Sequence, residues 1–137
     1  MSCKDGVYLL TIPGRLPGCN EWIDAERTNR HKAAKLKRET QDKIRWYIRR
    51  DLKGVKLWKD PVILQYKWYE PNRRRDKDNI AFAHKFIQDA LVEEHVLLND
   101  GWEDIDSFWD EFYVDKNKAR VEVRIWTKEE GGSIVLA

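Results

Sequence analysis

Residues 70 to 91 read EPNRRRDKDNIAFAHKFIQDAL, and within them Asp76 and Asp78 follow directly on Arg73, Arg74 and Arg75. Hard cations such as Mg²⁺ take oxygen ligands and keep some of their waters, so a few carboxylates on different elements are enough to hold one. Neighbouring guanidinium groups can grip a phosphate backbone. Together they would suit phosphodiester hydrolysis, in which charge on the attacked phosphoryl group and the leaving oxygen must be stabilised and a carboxylate-held cation acts as Lewis acid. The plainer alternatives are a solvated charge run and, for Asp78, a cap on the helix that follows. If extended backbone persists to this point, Asp76 and Asp78 project to one side and Lys77 to the other.

Further groups lie downstream. On a helix, Asp78, Phe82, Lys85 and Asp89 fall on one stripe, which sets Lys85 above the aspartate pair; its bland role is an i,i+4 ion pair with Asp89. The stretch LLNDGWEDID supplies Asp100, Glu103, Asp104 and Asp106, although Asn99, Asp100 and Gly101 also make an ordinary turn. Periodicity does not choose among these acids.

The elements that must position these groups can be read from pattern. GVYLLTI at 6–12 predicts a strand, closed by the Pro/Gly-rich loop PGRLPGCN. From about Asn29 to Leu52 there is no Pro or Gly, and Ala33, Leu36, Thr40, Ile44, Tyr47 and Ile48 form the buried stripe of a long helix with Gly54 just past its end. A neighbouring face carries Lys35, Arg38, Arg45 and Arg49, either a solvated face or a ridge that tracks phosphates. PVILQYKWY at 61–69 alternates as a half-buried strand, and residues 79–94 predict a second helix with Ile80, Ala83, Ile87, Ala90 and Leu91 inward. FWDEFYV and ARVEVRIW read as two strands of a hairpin joined by DKNK. The expected architecture is α+β: one domain over 1–137, a mixed sheet of about four strands packed with two main helices, and a tail over about 128–137.

A chain of 137 residues can bury enough surface to fold without a metal or disulfide staple. Residues 24–59 carry thirteen Lys/Arg against five Asp/Glu, whereas residues 89–115 carry ten Asp/Glu and no Lys/Arg. One region could attract phosphates and the other divalent cations, unless the two neutralise each other across the fold. Cys3 and Cys19, with no signal peptide, suggest reduced thiols and a cytoplasmic setting. His31, His84 and His95 lack zinc-ligand spacing, and no apolar run is long enough to span a membrane. The seven tryptophans are dispersed, which favours packing over a base-stacking platform.

The order D-x-D-N, then K-x-x-x-D-A-L, then an acid beyond, resembles the RusA family of Holliday junction resolvases, endonucleases associated with phages and prophages. Here the pieces are RRRDKDN, KFIQDAL and NDG. The resemblance implies a RusA-like fold, Mg²⁺ held by Asp76, Asp78 and Asp100, and Lys85 as the catalytic lysine. It also implies DNA contacts from Arg73, Arg74, Arg75 and the Lys35, Arg38, Arg45, Arg49 face, and a homodimer making paired symmetric nicks in four-way junctions in recombination and repair. Two departures are visible: about one helical turn more than usual separates Asp78 from Lys85, and Asn99–Asp100 stands where the family commonly has paired acids. A DNA-junction-binding protein without catalysis, on the same scaffold, is the alternative these departures raise.

Overall fold

The computed structural model describes residues 3, 4 and 6–128. The expected tail therefore lies, apart from Lys128, outside the described residues. In chain order the elements are β1 (Cys3–Lys4), β2 (Val7–Pro13), α1 (Cys19–Thr28), α2 (Arg30–Asp51), β3 (Val62–Glu70), α3 (Lys77–Ala81), α4 (His84–Glu93), β4 (Ile105–Val114) and β5 (Arg120–Thr127). The strands form one mixed sheet in the order β1-β2-β5-β3-β4. Four substantial strands and the main helices make the α+β domain expected from the pattern.

The core is built from the predicted stripes. Val62, Leu64, Tyr66 and Trp68 of β3 and Val121, Val123 and Ile125 of β5 are buried, as are Ile44 and Ile48 of α2 and Ile87, Ala90 and Leu91 of α4. Strand β3 lies at the centre, antiparallel to β5 and parallel to β4. That arrangement corrects the expected hairpin: β4 and β5 are consecutive but do not pair, because the most apolar strand sits between them. The intervening residues cross the end of β3, where Asp115 N–H donates to Glu70 O at 2.8 Å and Asp115 accepts from Arg120 at 2.9 Å. Parallel strands require a crossover, and α3 and α4 supply it.

Two helix boundaries also differ from expectation. Cys19 and Asn20, expected in the loop, and residues 21–28, for which the pattern predicts no element, form α1, whose Trp22 packs edge-on against Phe86. Asn29, in extended conformation, ends α1 and caps α2 by accepting from Lys32 N–H at 2.7 Å. The predicted helix over 79–94 is two pieces, with Phe82 and Ala83 between α3 and α4. The interruption falls between Asp78 and Lys85. Four of the seven tryptophans (Trp22, Trp68, Trp109 and Trp126) are at least half-buried, whereas Trp46, Trp58 and Trp102 are exposed.

Candidate active site

The alternation that buries Tyr66 and Trp68 carries on to Glu70, so this carboxylate faces the covered side of the sheet and is only 6% exposed. A charge there must be paired. Arg15 donates to Glu70 Oε1 through Nε at 3.2 Å and Nη2 at 2.9 Å, and Arg75 donates through Nε to Oε1 at 3.0 Å and through Nη2 to Oε2 at 2.9 Å. Arg75 further donates to Leu16 O at 3.0 Å. Its guanidinium is thus a strut holding the segment after β3 against the loop before α1. Glu70 was not a candidate in the sequence, although period two placed it inward.

That segment delivers the aspartates. The strand does not persist to them: β3 ends at Glu70, Asp76 is the extended residue preceding α3, and Asp78 lies in its first turn. Asp76 makes no side-chain cap, and Asp78 Oδ1 accepts from Asn79 N–H at 3.0 Å. Asn79 explains its place in the motif differently, since its Oδ1 accepts from Asn20 N–H at 2.9 Å at the start of α1. Gly18 permits this approach: a Cβ there would lie 2.5 Å from Asn79 Oδ1 and 3.0 Å from Arg75 Nη1. The glycine of PGCN and the D-x-D-N motif are therefore packed together.

Asp76 and Asp78 open onto a cleft of about 850 Å³ with Arg73, Lys77, Glu70 and Phe112 on its walls. It lies outside the carboxyl ends of the parallel strands β3 and β4, the position at which open sheets of this kind receive ligands. Lys77, expected opposite the aspartates, lines the same cleft with its Nζ 5.6 Å from the centre of the Phe112 ring. Arg73 and Arg74 are exposed.

Lys85 is exposed, does not line this cleft, and makes no ion pair among the described residues. Asp89 accepts from Gln41 Nε2 at 3.3 Å instead. Asp100 lies elsewhere. It precedes β4, in a segment tied to the amino end of β3 by Val62 N–H donating to Asp104 O at 2.9 Å. Strand β3 has nine residues, so at about 3.3 Å per residue the two ends of the sheet are roughly 26 Å apart. Asp100 borders smaller cavities, one shared with Asp89 and Glu93 and one with Trp102, Asp106 and Phe108. Among the described residues no three acidic, His or Cys side chains come close enough to hold a metal ion.

On α2, Arg45 donates to Glu94 Oε2 at 2.8 Å, while Arg49 donates to both oxygens of Glu94 at 2.7 and 2.9 Å. Hydrogen bonds from Arg49, with burial opposing them and Arg45 assisting, hold the Glu94 carboxyl below its usual pKa. Part of the basic face thus neutralises the acidic segment, leaving Arg38 exposed and Lys35 within only 3.9 Å of Glu39. His84, another residue outside the candidate set, sets Nε2 2.5 Å from Asp110 Oδ1, which also accepts from Trp68 Nε1 at 2.7 Å. Its ring lies 4.4 Å from that of Tyr66, so it fastens α4 to β4 from inside.

The paired carboxylates on an open cleft suit a hard cation that retains waters, although they are two ligands and not three. The family model for Endodeoxyribonuclease RusA matches residues 21–126. The chain belongs to the RusA family. Its matched region runs from the first turn of α1 to the end of β5, taking in the cleft, α4 and the Asp100 segment. RusA membership implies an endonuclease that resolves Holliday junctions and binds branched DNA, and RusA nucleases are in general divalent-metal dependent. No curated protein matches the chain. No helix among the described residues is long and apolar enough to cross a membrane.

Proposed function

We propose that this RusA-family protein is a Mg²⁺-dependent endodeoxyribonuclease that resolves four-way DNA junctions by paired symmetric nicks, acting as a homodimer in the cytoplasm of a bacterial cell, with a phage or prophage origin. The observation that carries the reading is the meeting of Asp76 and Asp78 with Arg73 and Lys77 in one open cleft. Carboxylates and cationic groups side by side suit a cation and a phosphate bound together. Asp76 and Asp78 would hold the cation, with Asp100 as the third carboxylate. When bound, it would supply Lewis-acid stabilisation of the charge developing at the phosphodiester.

The chain's own groups do the rest. Arg73, Arg74 and Lys77 grip the backbone beside the scissile phosphate, and the exposed Lys35 and Arg38 extend the track along α2. Arg75 acts indirectly, keeping the segment that carries Asp76 in place through Glu70. Lys85, exposed on α4 outside the cleft lining, would offer a further positive charge to the bound backbone. Recognition is of junction shape, since these contacts carry little sequence information. Two nicks need two identical sites, which a two-fold dimer provides.

The second reading is a junction-binding protein without catalysis, and the distance of Asp100 from the cleft favours it. Incubation of a four-way junction, and of linear duplex of the same sequence, with Mg²⁺ or chelator separates them. Paired nicks on the junction alone and with Mg²⁺ alone support the nuclease. Tight binding without nicks supports the second reading.

A further inference from the structure

Leu64, Tyr66 and Trp68 of β3 pack with Ile44 and Ile48 of α2 and Ile87 and Leu91 of α4 on one face of the sheet. Alternation sends Lys67, Tyr69, Glu111, Tyr113 and Arg120 to the opposite face, where all five are at least partly exposed. At the end of that face nearest the cleft, strand register sets Arg120, Tyr69 and Tyr113 side by side on β5, β3 and β4. They form one stack. The Arg120 guanidinium carbon lies 3.7 Å from the centre of the Tyr69 ring, and that ring is 5.1 Å from the Tyr113 ring with 21° between the planes. Neighbouring strands are about 4.8 Å apart, so the stack runs across the sheet from strand to strand. It ends at Tyr113, because β4 is the sheet's edge and no strand among the described residues continues the row. Tyr113 is 41% exposed.

Both ends of the stack are fastened. Arg120 donates from Nε to Glu122 at 2.8 Å and from Nη1 to Asp115 and to Lys118 O, each at 2.9 Å. The Tyr113 hydroxyl donates to Glu111, which also accepts from Trp109 Nε1 at 3.0 Å and from Gln65 Nε2 at 2.6 Å. A ring fixed in advance loses little entropy when a second π-face settles on it. Position decides what that face belongs to. Tyr113 lines the cleft that holds Asp76, Asp78, Arg73 and Lys77. Of the two aromatic side chains on the cleft wall, Phe112 already faces the Lys77 ammonium, whereas Tyr113 ends its stack. A DNA strand whose phosphate is gripped by the cationic groups brings a base to the same cleft, and its volume of about 850 Å³ is enough for a group of that size. In linear duplex both faces of a base are covered by its neighbours. At a branch point the stacking is broken, and taking a base out costs least.

We propose that Tyr113, backed by Tyr69 and Arg120, is a docking ledge for a nucleobase unstacked at the branch point of the DNA, and that this contact, which linear duplex does not make, selects branched over linear DNA. The ledge takes any base, since every base has a π-face. It adds a selective contact to a grip that is otherwise made to phosphates. The proposal rests on the reading of the cleft as the place where the DNA backbone is held, but it does not depend on cleavage.

Removing the ring and removing the base, singly and together, tests it. Affinity is measured in chelator, so that no strand is cut, for a four-way junction, for linear duplex of the same sequence, and for a series of junctions each lacking one base at the branch point. Tyr113→Leu removes the ring and keeps apolar bulk; it is expected to narrow the junction-to-duplex affinity ratio by about 10-fold. At least one abasic junction should bind the unaltered protein about 10-fold more weakly than the intact junction, and on that junction Tyr113→Leu costs nothing further. Tyr113→Phe keeps the ring and with it the sensitivity to that base. The abasic series with unaltered protein decides the matter even where Tyr113→Leu fails to fold. Equal losses on junction and duplex, or a Tyr113→Leu loss that persists undiminished on every abasic junction, overturn the ledge. So does a change in sedimentation of folded Tyr113→Leu, which would assign the ring to a contact between copies. Nicking by unaltered protein in Mg²⁺ decides the nuclease reading separately. Base-dependent junction binding without nicks sinks that reading and leaves the ledge standing, while nicking with no dependence on any branch-point base does the reverse.

Discussion

The two ends of the β3–β4 pair hold their acids in opposite ways. At the carboxyl end, Glu70, Arg15 and Arg75 form a buried ionic knot, Asn79 is bonded to the first turn of α1, and Gly18 lets the segments touch. At the amino end, Asp100 sits on an exposed turn held by local bonds: its N–H donates to Asn99 Oδ1 at 2.9 Å, and Ile105 N–H to Gly101 O at 3.0 Å. The first aspartate pair is preorganised by its own chain. The other region shows apolar and acidic groups to the outside, Trp102 and Asp100 among them. A site that holds a ligand needs fixed groups, and only the carboxyl end has them.

The sharpest way to break this contrast is to remove the knot. Glu70→Ala leaves two guanidinium groups without their carboxylate, and Arg75 is largely buried. A loss of about 3 kcal/mol is expected, less than for a fully buried pair because Arg15 is partly solvated. Urea unfolding measures it; a loss below about 1 kcal/mol would show that the carboxyl end is not held this way.

Gly18→Ala is next. The added methyl must push on Asn79 Oδ1 and the Arg75 guanidinium, at a cost of about 1–2 kcal/mol in stability. Junction nicking falls by about 10- to 100-fold because displacement of the D-x-D-N segment moves both aspartates. Unchanged stability and unchanged nicking would detach the PGCN loop from the site.

The basic helix offers a comparison within one element. Arg38→Ala is expected to lower the slope of log affinity against log salt by about 0.9, one phosphate contact, when junction binding is followed across salt concentrations. Arg49→Ala shifts the slope less, since Glu94 already holds that guanidinium. Equal shifts would show that the Glu94 pairing yields to DNA.

The smallest effect concerns Glu111, on β4. Hydrogen bonds from the Tyr113 hydroxyl, the Trp109 indole and the Gln65 amide lower its pKa to about 2 from an ordinary 4.5. A folded pKa below the unfolded one contributes stability that is complete above the unfolded value and lost as pH falls through the folded one. Stability should therefore decline modestly between about pH 4.5 and pH 2, and Glu111→Gln should flatten that part of the acid-unfolding curve. An unchanged curve contradicts the assignment.

How much of this was legible in the sequence depends on the range of the interactions. The buried stripes of α2 and α4 and the alternation of β3 follow from local periodicity and appear where expected. The hairpin of β4 and β5 failed because a short polar linker looks the same whether it turns back on its neighbour or crosses a third strand. Only the apolar demand of β3 for two partners separates those cases, and it is non-local. Helix α1 was hidden by the Pro and Gly before it, which end a strand but can equally begin a helix, as Gly18 does. In the site, motif order singled out Asp76 and Asp78. Charge alone could not foresee that Arg75, Arg45 and Arg49 are held by Glu70 and Glu94, since such pairing depends on which elements pack together. Period two did place Glu70 inward, a signal that a buried carboxylate would need cationic partners.

The central claim is that the cleft at the carboxyl ends of β3 and β4 does the chemistry. Asp78→Asn tests it most directly, because the change keeps size and removes charge from an exposed side chain. Single-turnover cleavage of a four-way junction in Mg²⁺ should fall by at least about 100-fold while junction affinity stays within about threefold. Nicking at the unaltered rate by this variant would contradict the account.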